Sequence, residues 1–248
     1  MKSDVKQLLS NRFLESGLPE ADGIYQAINP AMINENNLKF QKMYDWMSRG
    51  YDFAEIFIGK IRYGNKIDLL RESLMSKLEW TNNISVLYVS IGTGRDLKFI
   101  PKNIDAKSLQ IIGADISTGM LNQCKKRFKN KLNISLFHSC AEDLPFRDNV
   151  FDIVFHVGGI NFFNDKRLAI NEMLRVAKPG TKILIADETN DFIDSQYKKS
   201  KLSKRFFENE KFDLSEIEQS IPETASKSET ELMFNNKFYC IAFRKPNQ

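Results

Sequence analysis

The chain has 248 residues, 42% hydrophobic and 27% charged, which is the balance of a globular protein with room for one large core. A formal net charge of +4 is too small to specify a polyanionic partner. The longest apolar run, Val150 to Phe163, is interrupted by Asp152, His156, Gly158 and Gly159 and is too short to cross a bilayer as a helix.

The chain starts Met1-Lys2-Ser3-Asp4 and lacks the apolar region and small-residue cleavage site of a signal peptide, so a cytoplasmic location is expected. Cys124, Cys140 and Cys240 lie far apart and form no CxxC pair. That argues against a disulfide framework or a structural zinc site, and predicts buried apolar thiols and no metal.

Residues 1–80 show helical patterns at Lys6 to Glu15, Asn36 to Arg49 and Asp52 to Leu78, broken near Gly17, Pro30 and Gly50. They contain no strand series comparable to that of the residues after Ile84. Phe40, Tyr44, Trp46, Tyr51, Phe53, Phe57 and Tyr63 crowd this stretch, which is expected to form a helical cap over the body at 81–248.

From Ile84 onward, apolar runs alternate with helical periodicity. Val86 to Ile91, Leu109 to Ala114, Ile134 to His138, Phe151 to Val157 and Lys182 to Ala186 predict strands buried on both faces of a parallel sheet. After Asp115, Ser117 or Thr118 can cap a helix that buries Met120, Leu121, Cys124 and Phe128. A second helix spans about Asp165 to Ala177 and is ended by Lys178-Pro179-Gly180.

The segment 191–225 reads as a helical insert rich in aromatics. Within it, Lys198, Lys199, Lys201, Lys204 and Arg205 read as a solvated helix face, or as a patch that steers an anionic substrate, an RNA or a membrane surface. Ser228 to Phe234 and Lys237 to Phe243, joined at Asn235-Asn236, predict an antiparallel hairpin at the sheet edge. The fold class is thus α/β: a Rossmann-like, doubly wound, mostly parallel sheet with a C-terminal antiparallel hairpin and a helical N-terminal cap.

Three motifs carry chemistry. Val86 to Leu97 is a strand that runs into Ser90-Ile91-Gly92-Thr93-Gly94 and then a helix, a turn at which a ligand can approach backbone without meeting a Cβ. A dinucleotide fingerprint requires a third small residue where Leu97 stands, so the turn suits a ligand without a pyrophosphate. Asp115 ends the second strand, where a carboxylate can accept from both hydroxyls of a ribose. In Ala141-Glu142-Asp143-Leu144-Pro145-Phe146 a carboxylate can accept from an adenine amine beside Leu144, with Asp143 preferred over Glu142.

In this order the motifs resemble the class I S-adenosylmethionine (SAM)-dependent methyltransferases, particularly the small-molecule branch with the ubiquinone and menaquinone biosynthesis enzymes. Asn149 to Val154 and Glu172 to Thr181 extend the resemblance, which covers Ile84 to Glu188. It implies SAM as cofactor, with Ser90, Gly92, Thr93, Gly94, Asp115, Ile116, Met120, Glu142, Asp143, Leu144 and His156 at its site. Tyr44-Asp45 and Tyr51-Asp52 resemble the family's tyrosine-aspartate segment that closes over the cofactor. Ala21-Asp22-Gly23-Ile24 resembles a segment that follows a zinc module in some relatives, here without cysteines.

Tyr88 and Ser90 depart from the family, which usually has an acid and a glycine there. Because the sulfonium supplies its own leaving group, the protein mainly has to align the reactants. His156 is the candidate general base, and Asn161, in Gly158-Gly159-Ile160-Asn161-Phe162-Phe163, can orient an acceptor oxygen or nitrogen. The aromatic cap and insert favour a mainly apolar small-molecule acceptor. The alternatives are an RNA or protein acceptor, or a SAM-binding regulator without turnover. No appended nucleic-acid-binding motif accompanies the lysines, and no oligomeric state follows from the sequence.

Overall fold

The computed structural model describes residues 3–33, 37–48, 65–199, 204–207, 211–226 and 228–247, with the side chains of 3, 4 and 205 set aside. Nine strands form one sheet among the described residues: β1 (Glu20–Ala21), β2 (Ile24–Gln26), β3 (Ser85–Val89), β4 (Gln110–Asp115), β5 (Ile134–His138), β6 (Ile153–Val157), β7 (Lys182–Glu188), β8 (Glu229–Met233) and β9 (Phe238–Arg244). Their order is β1-β2-β5-β4-β3-β6-β7-β9-β8. The strands from β2 to β7 in this order are parallel neighbours, and β9 lies antiparallel between β7 and β8. The order reverses at β3, so the carboxyl ends of β3, β4 and β6 open the crevice where such sheets take ligands.

The near-continuous Val, Ile, Leu and Phe runs form inner strands because both faces are covered. Leu87, Val89, Val154, Ile183 and Ile185 pack with Ala169, Ile170 and Met173 of helix α6 (Lys166–Val176). Val86, Tyr88, Phe155 and Leu184 pack on the other face with α4 (Lys66–Ser76) and α5 (Thr118–Phe128). Each fully buried aliphatic side chain contributes about 1.5–3 kcal/mol relative to exposure.

Of the two caps that the sequence offers α5, Ser117 serves, and α6 is capped by Asp165. Ser117 Oγ accepts from the Met120 N–H at 3.1 Å, and Asp165 accepts from the Leu168 N–H at 2.8 Å. Helix α5 buries the expected Met120, Leu121, Cys124 and Phe128, and α6 buries Ala169, Ile170, Met173, Leu174 and Val176.

Two features differ from the sequence expectation. The helix expected after Gly94 is a single 3-10 helix, Arg95–Phe99, ended before Pro101 and packed against α4, which precedes β3. The first 80 residues also contribute strands. Asp22 (φ +50°) and Gly23 (φ +70°) turn a two-strand hairpin that adds β2 beside β5.

The N-terminal segments include α1 (Ser3–Lys6), α2 (Asn11–Glu15) and a helix α3 at 37–48. Between β7 and β8 lie three short helices, α7 (Asn190–Gln196), α8 (Lys204–Phe207) and α9 (Leu214–Ser220). Phe40 and Met43 of α3 form a separate apolar cluster with Phe162, Ile193 and Phe207. Tyr51, Asp52, Phe53, Phe57, Tyr63 and Lys201 lie outside the described residues. Among the described residues no helix is long and apolar enough to cross a membrane.

Candidate functional site

The turn after β3 holds three residues in the left-handed region: Ser90 (φ +54°), Gly92 (φ +54°) and Gly94 (φ +71°). The two glycines are needed for different reasons. A Cβ on Gly92 would meet nothing within 4 Å, so this backbone faces open space. A Cβ on Gly94 would lie 2.8 Å from both Cys124 Sγ and Phe128 Cε2, so that glycine lets α5 approach. Ser90 keeps the left-handed turn of a glycine at a cost of about 1–2 kcal/mol. Thr93 is buried and accepts from Arg127 Nη1 at 2.9 Å through both its hydroxyl and its carbonyl.

Tyr88 points away from that opening. Its ring stacks on Phe155 at 4.2 Å, and its hydroxyl donates to Asp96 at 2.6 Å. Arg71 donates to both oxygens of the same buried carboxylate at 2.6 Å. The Asp96 carboxylate is thus held by Tyr88 and Arg71 away from the opening.

Asp115 ends β4 almost wholly buried. One of its oxygens accepts the Gly92 N–H at 2.7 Å and the other the Ser117 N–H at 2.8 Å. Burial pushes its pKa up to about 6, opposed by those N–H donors and reinforced by the nearby Asp45. Asp45, a residue the sequence motif marked without a role, accepts from Ser117 Oγ at 2.6 Å and from the Gly119 N–H at 2.9 Å. It therefore fastens α3 to the start of α5, where a Cβ on Gly119 would collide with Ser48 Oγ at 2.7 Å.

The Ile116 carbonyl accepts from Gln41 Nε2 at 2.9 Å and lies 3.0 Å from His138 Nε2. Met120 is buried in α5, and Tyr44 sits half-buried with its ring 6.5 Å from Phe162.

In the loop after β5, Glu142 is buried and accepts the Asn164 N–H at 3.0 Å. Burial raises its pKa. Asp143 accepts at both oxygens from Arg12 Nη2 at 2.8 Å and from Asn29 Nδ2 at 3.0 Å, which ties α2 to the body. Leu144 is buried, and its N–H donates to Glu172 at 2.8 Å. Ser139 Oγ, at the start of this loop, is buried with no hydrogen-bond partner among the described residues.

His156 ends β6 fully buried. Its Nδ1 lies 3.1 Å from the Val89 carbonyl, which can only accept, so Nδ1 carries the hydrogen and Nε2 keeps its lone pair. Nε2 has no partner among the described residues, and burial lowers the imidazole pKa to about 4. The ring lies beside Phe163 at 5.1 Å and below Gly159, whose Cβ would stand 3.9 Å from Cε1.

The loop above His156 is held by Asp187, which the sequence reading did not single out. This fully buried carboxylate accepts the N–H groups of Gly159, Asn161 and Glu188 at 3.0, 3.1 and 2.8 Å. Burial pushes its pKa up to about 6. Asn161 Nδ2 donates to the Glu188 carbonyl at 2.9 Å and Oδ1 accepts from Tyr239 at 3.2 Å. Asn161, Glu188, Phe212, Leu232 and Tyr239 line a cleft of about 310 Å³.

A methyltransferase-domain model matches residues 87–185, from β3 to β7. A Lactococcus lactis demethylmenaquinone methyltransferase is 28% identical over 164 residues, 65% of this chain and 63% of that protein. The Bacillus subtilis methyltransferase candidate YrhH is 30% identical over 140 residues, 56% of this chain and 75% of that protein.

The chain belongs to the SAM-dependent methyltransferases. A Thermotoga maritima structure, described as a SAM-dependent and possible histamine N-methyltransferase, shares the fold with a TM-score of 0.60 at 19% identity. It covers 83% of this chain and 99% of that one. The chain spans less than two thirds of the length of the first curated quinone-methyltransferase relatives it matches.

The residues of this chain fit the family's cofactor on structural grounds. The open face at Gly92, the carboxylate of Asp115 with lone pairs to spare, and Ser139 Oγ and His156 Nε2, both buried without a hydrogen-bond partner among the described residues, all stand at the carboxyl ends of β3, β4, β5 and β6. Ser90 keeps a left-handed backbone in the turn, whereas no acid stands at position 88, and the Asp96 carboxylate that Tyr88 reaches is buried and taken up by Tyr88 and Arg71. Ser139, Asp45 and Asp187 were not anticipated as site residues. For Asp45 the tyrosine-aspartate segment was the available signal, whereas Asp187 looked like an ordinary strand-end acid.

Proposed function

We propose that the chain transfers a methyl group from SAM to a small, mainly apolar acceptor bound between the loop Gly158 to Phe163 and the cleft at Tyr239. The observation that carries this reading is the loop itself. Held by Asp187, it presents Asn161 to the cleft and Phe162 to an aromatic cover, where Phe162 stacks on Phe40 at 4.5 Å and meets Phe207 at 5.5 Å. Such a cover excludes water from the reacting atoms. The demethylmenaquinone relative acts, by its name, on an apolar quinone, which supports the same substrate class.

In this reading Gly92, Thr93 and the Ser90 turn receive the methionine end of SAM, Asp115 receives the ribose hydroxyls, and Glu142, Asp143 and Leu144 stand at the adenine end. Ile116, Met120 and Tyr44 complete the walls. SAM supplies the activated methyl through its sulfonium leaving group. Neutral His156 offers the Nε2 lone pair as a weak base, sufficient for an acidic acceptor, and Asn161 orients the acceptor's polar atom.

A thermal-shift titration with SAM, S-adenosylhomocysteine and NAD tests the cofactor assignment. A ligand at a hundred times its dissociation constant adds about 2.7 kcal/mol, or roughly 5–10 °C here. The expected result is a shift with the first two and none with NAD; no shift with SAM refutes the assignment. An acceptor screen that sets naphthoquinols against amines and RNA then tests the substrate class, and turnover of RNA alone would reverse it.

A further inference from the structure

Strand β9 lies between β7 and β8, so the backbone of Tyr239 is held from both sides: it pairs with Asp187 on β7 and with Leu232 on β8. Alternation along the strand sends Tyr239, Ile241 and Phe243 into the core on the α6 side and Cys240 into the core on the other. The phenol thereby reaches the turn Ile160–Phe162, where its hydroxyl donates to Asn161 Oδ1 at 3.2 Å. At its other end the carboxamide donates from Nδ2 to the Glu188 carbonyl at 2.9 Å. A carbonyl can only accept, so Nδ2 has to face Glu188 and Oδ1 has to face Tyr239. Burial, with Asp187 and Glu188 nearby, pushes the phenol pKa well above its ordinary value, so the hydroxyl keeps its proton and stays a donor. The backbone of Asn161 is fixed separately, by its N–H to Asp187 at 3.1 Å.

We infer that Tyr239 is a positioning residue for methyl transfer: held in the ladder between β7 and β8, its hydroxyl locks the Asn161 carboxamide in a single orientation at the acceptor cleft. The inference rests on the proposed placement of the acceptor beside Asn161. Both side chains line the cleft of about 310 Å³. Once the bonds to Glu188 and Tyr239 are made, the carboxamide keeps one N–H and one oxygen lone pair for a ligand. Without the phenol, the oxygen end loses its donor and the carboxamide is held at Nδ2 alone. An acceptor must then order the group as it binds, which costs affinity and alignment. A phenol that keeps its proton is no base, so its effect on the reaction runs through Asn161.

The test is Tyr239→Phe, which keeps the buried ring and removes only the hydroxyl. In heteronuclear NMR of the isotope-labelled full chain, the Asn161 carboxamide signals are assigned by their loss in Asn161→Ala. In Tyr239→Phe they should shift, and the proton held by Glu188 should exchange with water roughly three- to tenfold faster, as for the loss of one hydrogen bond. With a naphthoquinol as acceptor probe, kcat/KM for the acceptor should fall about tenfold, while stabilisation by SAM stays that of the parent. Asn161→Ala should lose more, and the double variant no more than Asn161→Ala alone, because the hydroxyl acts through the carboxamide. Additive losses would mean that Tyr239 meets the acceptor itself, and would overturn the inference, as would carboxamide signals that Tyr239→Phe leaves unchanged. If that variant folds poorly, the parent decides: the Tyr239 hydroxyl proton should exchange slowly with water, and fast exchange overturns the inference. A parent chain that turns over no naphthoquinol refutes the proposed acceptor, whereas the carboxamide signals judge Tyr239 whatever the acceptor is.

Discussion

The two glycines of the turn after β3 can be separated by one methyl group each. Gly92→Ala and Gly94→Ala both place a Cβ on left-handed backbone, at about 1–2 kcal/mol. Beyond that shared cost the structure treats them differently. The new methyl at 92 meets nothing, whereas the one at 94 stands 2.8 Å from Cys124 Sγ and Phe128 Cε2, both buried. Overpacking of that kind costs about 1–3 kcal/mol more. Gly94→Ala should therefore melt roughly 4–8 °C below Gly92→Ala, taking about 2 kcal/mol and 2–4 °C for each.

The ligand response should invert that ranking. Gly92→Ala places its methyl where the cofactor backbone contact belongs and should lose most of the stabilisation by SAM, while Gly94→Ala, once folded, should keep it. Differential scanning fluorimetry of both variants with and without SAM reads the two quantities together. Full SAM stabilisation of Gly92→Ala, or equal melting of the two proteins, would refute the assignment of one glycine to ligand and the other to helix packing.

Three further outcomes are expected. Tyr88→Phe removes a hydroxyl donated to the buried Asp96 carboxylate and should cost about 1.5–3 kcal/mol in urea unfolding; a loss under half of that would mean Arg71 alone satisfies Asp96. Asp45→Ala uncaps α5 and should cost about 1 kcal/mol while weakening SAM binding, and unchanged SAM affinity would dissociate α3 from the cofactor site. His156, lowered to about 4 from an ordinary 6.5, is neutral when folded, so between these values the unfolded chain holds the extra proton and this group's contribution to stability falls as pH falls. Asp115 and Asp187, pushed up to about 6, act in the opposite sense over much of that range, so parent and variant must be compared. Relative to the parent, His156→Gln should gain about 3 kcal/mol from pH 6.5 to 4, and parallel stability curves would show that the imidazole is not held neutral.

The central sheet was legible because five short apolar runs, separated by helical periodicity and capped at Ser117 and Asp165, leave few alternatives for residues 84–188. The hairpin at 20–26 was passed over although Asp22-Gly23 is a strong turn signal, because strands of two and three residues carry too little alternation to register. Asp115 followed from its place at a strand end. The engagement of Asp143 by Arg12 and Asn29 did not, since those partners lie 131 and 114 positions away, and no local pattern encodes a contact of that range. Asp187 and Ser139 were hidden for a related reason: their significance is burial, which appears only once the sheet is assembled.

The pairing of β2 with β5 also bears on how the chain is made. Gln26 and His138 are partners separated by 112 positions, so at a synthesis rate of about 5–20 residues per second the amino-terminal hairpin waits roughly 5–20 s for its template strand to be translated. During that interval Ile24 and Tyr25, buried in the finished protein, have no sheet to join. The hairpin is therefore a late-docking element, and a nascent chain stalled before residue 134 would present it to chaperones.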